Sequence, residues 1–97
     1  MSDKELEDIA ANIAEAAEAF ALAHPNHDLI TVQNYPRAPD FAREILVNGG
    51  RALRAQIIKA LQPLAKRHKF VDVHIYGIGG VFPESLTRER ILSTVVT

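Results

Sequence analysis

The sequence predicts a small α+β domain of two layers. About three helices pack on a short two- or three-stranded sheet, in the order α-β-α-α-β-β. Three observations carry this reading. Residues 3–23 and 51–68 repeat their apolar residues at helical spacing. Residues 29–33 and 71–75 alternate instead with the two-residue period of a half-buried strand. Finally, 97 residues that are 47% apolar and 24% charged suffice for one modest core, and no composition shift marks a linker, so 1–97 reads as a single domain.

The first helix spans 3–23, with eight alanines and no glycine or proline. Ser2 or Asp3 caps its start, where the early acids also suit the helix dipole. Leu6, Ile9, Ile13, Ala16, Phe20 and Ala23 form a heptad-like seam with alanines on its flanks. Pro25 stops the helix at His24. A β-branched strand follows over 29–34, and Tyr35–Pro39 is a rigid connection. Asp40 caps a helix over 40–47 that buries Phe41, Ile45 and Leu46 and ends at Asn48-Gly49. The rival reading makes Glu44–Val47 a strand and Asn48-Gly49 a hairpin turn.

In the helix over 51–68, Leu53, Ile57, Ala60, Leu61, Leu64 and His68 share one face, with Arg51, Lys59, Gln62, Lys66 and Lys69 opposite. Pro63 inside it predicts a kink or a restart. Val71, Val73 and Ile75 define the next strand, which ends in a turn at Gly77, Gly79 and Gly80. After a loop at Phe82-Pro83, the β-branched run Ile91–Thr97 predicts a final strand, although Leu86–Leu92 also fits a helix.

Several functions are excluded or disfavoured. The absence of cysteine removes disulfides, thiolate metal sites and cysteine nucleophiles. No apolar run approaches the ~18 residues of a membrane span. The acidic start lacks the basic lead of a secretion signal, so a cytoplasmic location is expected. His24, His27 and Asp28 are metal-ligand types, but no further ligand pair has a recognisable spacing, so no metal is expected. Gly77-Ile78-Gly79-Gly80 and Asn48-Gly49-Gly50 lack the helix start or the lysine of a phosphate-binding loop, and no cofactor is expected. His74 flanked by Asp72 and Tyr76 has no nucleophile beside it, since Ser85 and Ser93 are isolated, so no catalytic residue is assigned.

What remains is charge. Net charge is −1, yet residues 1–28 hold seven acids and one base while 37–69 hold eight bases and two acids. We therefore expect a protein-interaction module, an adaptor or inhibitor of a larger protein, without enzymatic activity. Domains of this size and composition occur among bacterial and phage accessory proteins, which is analogy only. Arg51, Arg54, Lys59, Lys66 and Lys69, with Ile58 exposed at their edge, would contact an acidic protein. Leu6, Ile9, Ile13 and Phe20 would bury themselves against a second copy, giving a homodimer, because a third helix should find no room on the sheet, although packing on the same chain would satisfy the seam equally well. The alternative is a nucleic-acid-binding regulator using helix 51–68, although the stripe holds no aromatic side chain for base stacking. A small enzyme centred on His74 and Asp72 ranks third.

Overall fold

The computed structural model describes residues 3–32, 50–75 and 84–95. These form α1 (Asp3–Ala23), β1 (Leu29–Val32), α2 (Gly50–Arg67), β2 (Asp72–Ile75), β3 (Glu84–Thr87) and α3 (Arg88–Ser93). The fold class is the expected one, an α+β domain with three helices and a three-stranded sheet among the described residues. The helix expected over 40–47, its hairpin rival and the Gly77–Gly80 turn lie outside the described residues.

The sheet has the order β1-β2-β3. β1 and β2 are parallel, pairing Ile30 with Val73 and Val32 with Ile75, and β3 runs antiparallel to β2 with Leu86 opposite Val73. Parallel neighbours need a crossover connection, and α2 lies within it. Ile30, Val32, Val73, Ile75 and Leu86 are buried and join the helices in one apolar core. Among the described residues no polar or charged side chain is buried.

α1 has the expected bounds, and its apolar seam finds a place in its own chain. Leu6, Ile9 and Ile13 are buried with Ala10, Ala17 and Ala21, and Phe20 packs half-buried against the same cluster. The expectation that this seam needs a second copy is therefore corrected. Three strands at ~4.8 Å spacing and helices at ~8–10 Å leave room for two helices side by side. α1 takes one of those places, against α2 and β1, while the six-residue α3 packs on α2 and β3. Alanine at positions 10, 17 and 21 lets the α1 backbone come close.

α2 is one helix through Pro63, so the expected restart does not occur. Pro63 lies on its exposed side, where the carbonyl deprived of its usual donor meets water instead of the core.

The C-terminal segment differs most from expectation. Within the described residues, Ile91–Ser93 is helical and the strand comes earlier, at Glu84–Thr87. Thr87 switches one to the other: its backbone is extended and its Oγ1 accepts from the Arg90 N–H at 3.1 Å, an N-cap. α2 then clasps α3 at both ends. Arg88 Nε donates to the Ala65 carbonyl at 2.8 Å and the His68 carbonyl at 3.2 Å, capping the C-terminus of α2. Gln62 Nε2 donates to the carbonyls of Ile91 and Thr94, at 3.2 and 2.8 Å, at the C-terminus of α3. With Ile91 fully buried as well, these bonds override the strand preference of the β-branched residues.

Candidate functional site

Among the described residues the buried side chains are apolar, and the polar and charged ones are partly or fully exposed. The residues expected to bind a partner are separated by the fold. Arg51 lies in the first turn of α2, and its side chain is outside the described residues. Arg54 is half-buried and already has a partner. Ile58, expected to be exposed, is 3% exposed, a correction. It stands one turn before Gln62 and two before Ala65, the residues that bond α3, and so on the side of α2 toward that unforeseen helix. Lys59, Lys66 and Lys69 are exposed, and no ion pair engages them among the described residues.

α1 and α2 run parallel. Glu7 near the start of α1 faces Gln56 and Lys59 across a groove, and Glu18 near its end reaches Arg67 at 3.2 Å. The opposed charges of the two segments thus meet partly within one chain. That pair has both side chains about half exposed, and such surface pairs contribute at most about 1 kcal/mol. The groove is open, about 380 Å³, and lined by Glu7, Ala10, Ala11, Gln56, Lys59 and Ala60.

Each bank of the groove carries a charged stripe. On α1, Asp8 and Glu15 are exposed, opposite the buried seam, and seven residues apart. On α2, Lys59 and Lys66 are exposed at the same seven-residue interval, with Pro63 between them. Seven residues are two turns, about 10.5 Å, so the two stripes have equal pitch. In the sequence Asp8 and Glu15 stand out only as part of a net charge and not as candidate contact residues. Their shared spacing with the lysines was the available signal.

A second cluster lies where α1 and α2 end. The rings of His24 and His27 are 4.9 Å apart and flank Phe20, at 4.6 and 5.8 Å. His68 and Lys69 line the same hollow, which holds only about 10 Å³. The fold thus adds a third imidazole to the pair seen in sequence. Among the described residues, no three side chains are placed to hold a metal ion.

Asp72 and His74 are half-buried on the sheet face away from the core, in register with Leu29 and Thr31 of β1. On the other side of β2 the register sets Ser85 of β3 opposite His74 and Thr87 opposite Asp72, so Ser85, expected to be isolated, is the cross-strand neighbour of His74, a correction. His74 also has a partner of its own. Another hollow, about 400 Å³, is lined by Phe70, Val71, Thr87, Arg88 and Glu89, with Arg88 already committed to the α2 carbonyls.

No protein-family model matches this chain, and no curated protein or solved structure matches it significantly. Among the described residues no helix is long and apolar enough to cross a membrane.

Proposed function

We propose that this domain is a protein-interaction module, an adaptor or inhibitor and not a catalyst, that works through the outer surface of α1 and α2. The observation that carries the reading is the pair of exposed stripes, Asp8/Glu15 and Lys59/Lys66, side by side with equal pitch. The lysines, extended by Lys69, attract an acidic surface, and the neighbouring acids repel a phosphate backbone that would follow the same ridge. This favours protein over nucleic acid. Because acid and base stand together, the surface suits a partner carrying both, and self-association belongs to this face instead of the buried seam.

The test is immobilised protein at about 150 mM salt, with Lys59→Glu plus Lys66→Glu as the comparison, since both positions are exposed and the fold should persist by circular dichroism. Wild type should retain a bound protein, another chain or its own, that the double variant loses. Retention of the same proteins by both would overturn the reading. So would sequence-selective duplex binding at that salt, abolished in the variant.

A further inference from the structure

We infer that the partner is a second copy of this chain, related by a two-fold axis parallel to α1 and α2, so that α1 of each copy lies over α2 of the other. The inference rests on the interaction surface proposed above and names its occupant. A two-fold contact must be self-complementary: whatever one copy offers, it must also accept. This surface meets that condition. It carries an acidic ridge on α1 and a basic ridge on α2, separated by a groove with alanines at 10, 11 and 60. A two-fold along the groove exchanges the ridges and brings acid over base twice.

The register is fixed by contacts already present in the single chain. Glu7 lines the groove with Gln56 and Lys59, and Glu18 reaches Arg67, so Asp8 stands within about one helical turn of the level of Lys59, and Glu15 within about one turn of that of Lys66. An axis parallel to the helices keeps each level. It therefore sets Asp8 against Lys59 of the partner subunit and Glu15 against Lys66 of the partner subunit, and the reverse pairs follow by symmetry. An axis perpendicular to the helices would instead set α1 on α1, acid on acid. Leu22, 65% exposed, continues the α1 stripe one further seven-residue step and adds an apolar contact at the end of the ladder. The Lys4–Asp8 pair at 3.7 Å does not occupy Asp8, because both side chains remain largely exposed.

A contact built on exposed ion pairs is salt-sensitive. Sedimentation at high micromolar concentration should give twice 10.7 kDa at about 50 mM salt and move toward 10.7 kDa at about 500 mM. The decisive experiment exchanges charges. Asp8→Lys plus Glu15→Lys makes both ridges basic, and Lys59→Glu plus Lys66→Glu makes both acidic. Each variant alone should be monomeric, and their equimolar mixture should form a heterodimer. If the acid reversal fails to fold, Asp8→Asn plus Glu15→Gln should still weaken the dimer at least about tenfold. A dimer that survives either reversal, or reversed variants that fail to pair when mixed, would overturn the inference. A wild type that stays near 10.7 kDa at low salt, yet still loses a captured protein on lysine reversal, defeats the second copy and leaves the surface reading standing. Loss of both results removes both readings.

Discussion

α1 and α3 both lie against α2, and they are held there by different forces. α1 brings a continuous apolar face, Leu6, Ile9, Ile13 and three alanines, and the Glu18–Arg67 ion pair it makes to α2 is an exposed surface contact. α3 is six residues long, a length at which an isolated helix is not stable in water, and its buried apolar residue is Ile91. Its backbone ends are instead tied by side chains: Thr87 and Gln62 to α3 itself, and Arg88 back to α2. A long helix with a seam is stabilised by area removed from water, in proportion to its length. A short helix depends on a few directional bonds, so a single atom can decide it.

The largest expected effect is in the α1 seam. Ile13 is fully buried, and Ile13→Ala should cost about 2–5 kcal/mol, read as a lowered chemical-denaturation midpoint. Ile13→Asp should unfold the chain. A folded, stable Ile13→Asp monomer would mean that the seam is covered by another subunit and that the contrast with α3 is false.

Next is Arg88→Ala. It removes a charged donor from two carbonyls and should cost about 1.5–3 kcal/mol. Hydrogen exchange should speed up across 84–95 and at the end of α2, while the middle of α1 keeps its protection. Uniform loss of protection would show that the C-terminal segment is not a separate unit.

Thr87→Ala should cost about 1 kcal/mol, the usual value of an N-cap, with its exchange effect centred on the Arg90 amide. Glu18→Gln should do least, below about 1 kcal/mol, and its effect should vanish in high salt. If Glu18→Gln matched Arg88→Ala in thermal melts, electrostatics would hold α1 as firmly as packing does.

The same contrast explains what was legible. The bounds of α1 and the strands around Ile30 and Val73 follow from periodicity, which is local and needs no partner. Half of the proposed surface was visible as the lysines of α2. The other half was not, because Asp8 and Glu15 acquire meaning only when α1 is set parallel to α2 at a known level. Ile58 was misplaced for a related reason: a helical wheel shows which residues share a face, not what covers it.

By itself, then, the sequence determined the α+β class, the long helices, the apolar face of α1, most of that of α2 and the separation of acid from base along the chain. These depend on residues a few positions apart. The tertiary structure alone decided that the α1 seam is buried within its own chain, that Ile91–Ser93 is helix instead of strand, and that two charged stripes stand side by side. The bonds that settle the second point join residues 20 to 32 positions apart. No local pattern encodes them, because Gln62 and Arg88 become caps only once packing has brought a helix end within reach.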